Sequence, residues 1–497
     1  MAGRYYLGLD QGTIGTTAIL FDQSWHEVSR GYCEIPVFYP QPGWVEHDPE
    51  DVWHSILSAT EQALRNVGAD AASLLCIGLN HEGESVVIWD PETGLPVYPA
   101  ITWQDRRTVR MAEELAYEYN DLVLKKTGLM IDSYFSAVKY KWILDHIQKT
   151  GRSEKKKRLM AGTMDTWIIW KLTRGALHIT DASTASRTML FHLDENRWDE
   201  ELISLFGLEN LIFPEIQDSA ARYCFTDPEA FFGARVPVSA ILVDQQAALI
   251  GNGCVEQGSI KATYGTGCFM LMNTGDSVVR SSHGLLPTIA WRLNGKTTYA
   301  LDGGVYIAGG AVKWLQKGLE IVASPDETET LAGSVRSNGG VYFVPAFTGL
   351  AAPYWDSYAS GMMIGINSST QKGHIARAAL EAIAYQVRDV LDAMAHDAQV
   401  PITTMRCNGS PTANSFLMQF QADILGVALE IPQVSNATAL GSAFMGALGI
   451  GDFDSIDDIS RLWSVSRRYE PKMGADERNS LLYNWHRAVE RAKYWNE

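Results

Sequence analysis

The sequence predicts an α/β protein made of two similar halves. Strand and helix signals alternate along the whole chain. A glycine-threonine hairpin near the start is restarted about 250 residues later, and 497 residues exceed what one compact core accommodates. The restart points to a duplication, because the repeats of a solenoid are far shorter. The halves are assigned to residues 1–250 and 251–497, with the boundary in Gly251-Asn252-Gly253.

The first hairpin runs from Leu7 through Asp10, Gly12, Thr13 and Gly15 to Thr17, then continues into Ala18-Ile19-Leu20-Phe21. β-favouring runs flank a turn whose glycines are expected to supply unusual backbone angles. A helix follows: Asp48 is placed to cap it, Pro49 suits its first turn, and Trp53, Ile56, Leu57 and Leu64 give it an apolar face. Leu74 to Leu79 reads as a buried strand ending at Asn80, and Val86 to Asp90 as another, closed by the turn Pro91-Glu92-Thr93-Gly94. The run Lys155-Lys156-Lys157-Arg158 reads as a solvated loop. Val243-Asp244-Gln245-Gln246-Ala247 puts an acid after an apolar strand; alone, it could be a catalytic group or a helix cap. The second hairpin spans Lys261 to Met272 around Gly265-Thr266-Gly267. Helical periodicity then covers His374 to Met394, and Met405 to Gly426 reads as strand, Asn408-Gly409-Ser410-Pro411 turn and helix. Turns of this kind can direct N–H groups and threonine hydroxyls at an anion, so two facing hairpins would clamp a polyphosphate.

Composition narrows the class. The content is 46% hydrophobic and 20% charged, that of an ordinary globular protein. A net charge of −17 argues against nucleic acid or an anionic membrane as the main partner. No apolar stretch reaches the ~18–20 residues of a membrane span, and the start enters a strand pattern without a signal-peptide core. Six scattered cysteines without a C-x-x-C pair are expected to be free thiols in a reducing, cytoplasmic compartment.

Two long patterns in order, together with both hairpins, give the chain a recognisable layout. These are Tyr134-Phe135-Ser136-Ala137-Val138-Lys139-Tyr140-Lys141-Trp142, and Gly361-Met362-Met363-Ile364-Gly365-Ile366 with His374 and Ala378-Ala379-Leu380-Glu381. The chain resembles the FGGY carbohydrate kinases over almost its whole length, and within them the glycerol kinases and related polyol kinases. That resemblance implies two actin-like (ribonuclease H-like) domains with a catalytic cleft between them. It also implies ATP with Mg²⁺, a small polyol or sugar as substrate, and a homo-oligomer, dimer or tetramer.

Phosphoryl transfer needs positioning, charge compensation and a base more than covalent chemistry. The resemblance makes Asp244 that base and gives Asp10 and Asp244 to Mg²⁺. Gly12, Thr13, Gly265, Thr266 and Gly267 fall around the phosphates, and Gly309, Lys313, Ser410 and Asn414 along the nucleoside. Lys313 could equally be an ordinary helix lysine. The acceptor falls to Gly83, Glu84, Trp103, Tyr134, Asp244, Gln245 and Phe269, although Trp103 and Phe269 also suit plain core.

Three positions depart from the glycerol kinase pattern. Thr17 stands where that pattern has an arginine near the phosphates. Asn408-Gly409-Ser410 replaces Asp-Gly-Gly, and Gly83 replaces the arginine that clamps a terminal hydroxyl. Losing a guanidinium at Gly83 is expected to open space, with His81 or Glu82 offering a substitute hydrogen bond. The expected acceptor is therefore longer than glycerol: a tetritol such as erythritol or threitol, or a pentitol. Glycerol itself is the alternative. An actin- or chaperone-type ATPase is a further alternative, and it leaves the acceptor residues unexplained. A Rossmann dehydrogenase is poorly supported, because the first hairpin leads into a strand and lacks G-x-G-x-x-G.

Overall fold

The computed structural model describes residues 3–151, 158–434 and 436–496. Lys155, Lys156 and Lys157 of the basic run lie outside them. Two central sheets carry the molecule. The first has the strand order Ala220–Phe225, Pro237–Val243, Leu74–His81, Tyr5–Gly12, Gly15–Phe21, Glu27–Glu34. The second has the order Leu286–Leu293, Lys296–Val305, Cys268–Gly275, Ile260–Tyr264, Thr404–Asn408, Ala428–Pro432, Val465–Tyr469.

Strand directions show the duplication. In each sheet an antiparallel hairpin is followed by two parallel strands and closed by an antiparallel edge. The second sheet adds one strand, Leu286–Leu293, at its far end.

Local expectations from the sequence mostly hold. Asp48 caps the helix Pro49–Asn66, accepting from the Glu50 N–H at 2.9 Å, and Val52, Trp53, Ile56, Ala59 and Ala63 bury one face. The buried strand extends to His81, because Asn80 and His81 pair onward with Asp10 and Gln11. The helix over His374 to Met394 is longer than its apolar periodicity, Lys372–Ala398, and is opened by a capping box between Gln371 and His374. All six cysteines are free, and among the described residues no helix is long and apolar enough to cross a membrane.

One expectation needs correction. None of Gly12, Gly15, Gly265 and Gly267 is left-handed. Gly267 is required by close approach instead: a Cβ on it would lie 2.5 Å from the Val305 carbonyl, whereas one on Gly15 would meet only the exposed Tyr32 ring. The two halves are joined by a long-range contact. Helix Ala437–Ile450, from the second half, packs against the first sheet so closely that a Cβ on Gly78 would sit 1.8 Å from the Ser442 carbonyl. Ser239 Oγ donates to the Gly446 carbonyl at 2.8 Å, and Asn80 Nδ2 to Ser442 Oγ at 3.2 Å, across the same contact.

Candidate active site

Three parallel strands of the first sheet, Tyr5–Gly12, Leu74–His81 and Pro237–Val243, end on the same side, where α/β sheets place their ligands. Their ends deliver Gly12 and Thr13, then Glu82, Gly83 and Glu84, then Asp244 and Gln245, to one cavity of about 90 Å³. Trp103, Tyr134 and Phe269 complete its wall. All three aromatic rings are partly exposed, so they line the cleft and are not core. The cavity is well below the ~300–1,000 Å³ of pockets that bury drug-sized ligands, so it is sized for a ligand of a few carbons.

Asp244 is the first residue of helix Asp244–Gly251, and the cap position belongs to Val243, with no side-chain cap bond. The capping alternative therefore falls away. Little water reaches the Asp244 carboxyl, which pushes its pKa up to about 6; the charge of Glu84 adds to the shift and that of Lys261 opposes it. Asp10 is pushed up to about 7, by burial first and by the charge of Asp244 second, against a hydrogen bond from Asn436. Two neighbouring carboxylates that both resist ionisation are an all-oxygen donor set suited to a hard divalent cation.

Thr13 lines this cavity. Its hydroxyl donates to Glu82 Oε2 at 2.7 Å and accepts from Trp103 Nε1 at 2.8 Å, so one relay fixes the hairpin tip, the indole and a carboxylate. Lys139 stitches the floor: its ammonium donates to the carbonyls of Glu84, Tyr134 and Phe135, and burial pushes its pKa down to about 8.

Gly83 lines the cavity, but a Cβ on it would lie 2.9 Å from Val243 Cγ1 and 3.7 Å from Arg187 Cγ, so its backbone is closely flanked. His81 supplies no replacement hydrogen bond: its ring bonds the Glu82 carbonyl and Thr184 Oγ1, both at 2.9 Å, away from the cavity. Glu82 does line the cavity.

A separate cavity of about 540 Å³ collects Gly265, Thr266, Gly309, Lys313, Ser410 and Asn414. Gly309 N–H donates to the Gly265 carbonyl at 3.0 Å, locking the second hairpin to helix Gly309–Lys317. Gly267 supports the hairpin tip through its carbonyl, which accepts from Gly265 N–H at 2.8 Å. Asn414 also caps helix Ser415–Leu425. At the departure from Asp-Gly-Gly, the Asn408 side-chain carbonyl accepts from Thr263 Oγ1 at 2.9 Å and Asn252 Nδ2 at 3.2 Å. Gly409 is left-handed, with φ +101°.

The structure adds Arg187, Asp302 and Lys261, which the sequence reading did not select. Arg187 Nε donates to Glu84 Oε1 at 2.7 Å, and its Nη2 lies 3.0 Å from Asp302 Oδ2. Lys261 donates to Gln245 Oε1 and, at 3.2 Å, to the Phe269 carbonyl. Burial pushes the Lys261 pKa down to about 8, against the charges of Asp244 and Asp302. A signal for Arg187 existed: it is the lone charge between Asp181 and Phe191, a stretch otherwise of small and apolar residues, as a paired buried cation would be.

Comparison with known proteins agrees with this layout. Residues 5–251 match the N-terminal domain, and residues 260–450 the C-terminal domain, of the FGGY family of carbohydrate kinases. The chain is 46% identical over 495 residues to glycerol kinase 2 of Thermotoga maritima, covering 99% of this chain and 100% of that protein. It is 47% identical over 499 residues to a glycerol kinase of Pseudothermotoga lettingae, covering both chains fully. The crystal structure of Plasmodium falciparum glycerol kinase with ADP superposes with a TM-score of 0.91 at 32% identity, covering 99% of this chain and 98% of that one.

Proposed function

Because the chain belongs to the FGGY family of carbohydrate kinases, phosphotransferases of two-domain, actin-like α/β fold that act on alcohol groups, we propose that it transfers the γ-phosphoryl group of ATP to a terminal hydroxyl of a short polyol, with glycerol as acceptor. The observation that carries this reading is the convergence of Asp244, Glu84, Trp103, Tyr134 and Phe269 on one small cavity. Full-length relatives named as glycerol kinases support glycerol over a longer acceptor.

In this reading residues 1–250 and 251–497 are the two domains. The aromatic rings cover the C–H faces of the acceptor, and Glu84 and Asp244 receive its hydroxyl protons. Asp244 accepts the proton of the attacking hydroxyl as its oxygen bonds the γ-phosphorus and the bond to ADP breaks. Mg²⁺, held by Asp10 and Asp244, would neutralise phosphate charge. Gly265, Thr266, Gly309, Lys313 and Asn414 would seat the nucleotide.

A tetritol is the second reading, favoured by one observation. A further cavity of about 40 Å³ abuts the first, sharing Tyr134, Arg187, Phe269 and Asp302 with it. The test is ADP formation from MgATP with glycerol, erythritol, D- and L-threitol and pentitols as acceptors. Glycerol is expected to give the highest kcat/KM. A tetritol ahead of it would reverse the order of the two readings, and ADP release independent of any polyol would overturn both.

Position 83 provides a second check. Gly83→Ala is expected to raise KM for the acceptor several-fold, because its methyl group meets Val243 Cγ1 at 2.9 Å and Val243 precedes Asp244. Unchanged initial-rate kinetics would show that the wall there is soft.

A further inference from the structure

Arg187 takes no part in the chemistry described above, yet it stands at the border of two cavities. It follows the short helix Ala182–Ala185, is 4% exposed, and lines both the 90 Å³ cavity and the 40 Å³ cavity beyond it. Two edges of its guanidinium are engaged, Nε by Glu84 and Nη2 by Asp302. Nη1 is buried and has no hydrogen-bond partner among the described residues. A buried donor without an acceptor costs free energy, and a planar fork held on two edges cannot turn away to find one. Asp244 lines only the first cavity. A short chain with one end at Asp244 therefore presents its other end to Arg187.

We infer that Arg187 is a specificity-determining ligand of the acceptor, its Nη1 donating to the hydroxyl farthest from the one that is phosphorylated. The same hydroxyl donates its own proton to Glu84 or Asp302, so both of its hydrogen-bonding roles are met within one cluster. Gly83, next to the Arg187 stem, contributes no side chain, so the guanidinium at this end comes from residue 187. The inference rests on the polyol-kinase reading and names the residue that selects within it.

The test compares glycerol with propane-1,2-diol, which lacks only the distal hydroxyl, in the wild type and in Arg187→Lys. Lysine keeps a positive charge between Glu84 and Asp302 but loses the third edge of the fork. The wild type is expected to favour glycerol in kcat/KM by at least about 100-fold. In Arg187→Lys that ratio should fall at least tenfold, because the diol loses little more. A wild-type ratio near one overturns the inference, and this measurement does not depend on the variant folding. A variant that slows both acceptors in proportion overturns it too, since that is the signature of a purely structural arginine. Absence of any polyol-dependent ADP formation would instead overturn the kinase reading beneath it.

Discussion

Asp244→Asn is expected to lower kcat by about 10²–10⁴-fold, the usual worth of a positioned general base, while ADP binding followed by calorimetry changes by no more than a few-fold. An amide of the same shape fills the same space beside Gln245 but cannot take a proton. The wild-type pH profile should carry the same signature. With its pKa pushed up to about 6, Asp244 is a competent base only above that pH, so kcat/KM should fall roughly tenfold per pH unit on the acid side. Stability should move the opposite way. The folded state prefers the neutral form of Asp244, so ionisation costs stability as pH rises from the ordinary value of 3.8 through about 6. Asp244→Asn should therefore melt higher than the wild type at pH 8 and equally at pH 4. Near-normal turnover would remove Asp244 from the mechanism, and an equal melting shift at both pH values would remove the electrostatic account.

Much of this arrangement was legible in the sequence, for a reason that also marks its limit. Local rules predict local structure: alternation and turn residues locate the hairpins, and Asp48 with Pro49 locates the start of helix Pro49–Asn66. Asp10, Glu84 and Asp244 come from the family resemblance, and the fold shows why they are neighbours: each lies in or shortly after one of the three parallel strands of the first sheet. What was not legible depends on which distant segments touch. Nothing in the apolar periodicity of helix Ala437–Ile450 says that it packs on the first sheet at Gly78 and on helix Asp244–Gly251 at Gly441. Gly83 was misread for the same reason. A missing side chain suggests an open space, but the Gly83 backbone is flanked by Val243, and that contact has no local signature. Arg187 and Asp302 are separated by more than a hundred positions, so only the fold reveals that one guanidinium joins Asp302 to Glu84.

That guanidinium makes Glu84 the most consequential residue after Asp244. Glu84→Ala is expected to destabilise the protein by about 3 kcal/mol, at the lower end of the ~3–5 kcal/mol for breaking a buried ion pair, because Arg187 keeps Asp302 as a partner. Urea unfolding would measure it. Glu84→Gln retains an oxygen for Arg187 Nε and should cost less. Activity would separate a structural role from a functional one. Glu84 raises the pKa of Asp244 through its charge, so in either variant the acid limb of kcat/KM should move to lower pH. The KM for the acceptor should rise in both, since neither presents a carboxylate to the hydroxyls. A destabilised variant whose acid limb and acceptor KM stay in place would reduce Glu84 to an anchor for Arg187. A limb that moves without loss of stability would mean that Asp302 alone suffices to hold the guanidinium in place.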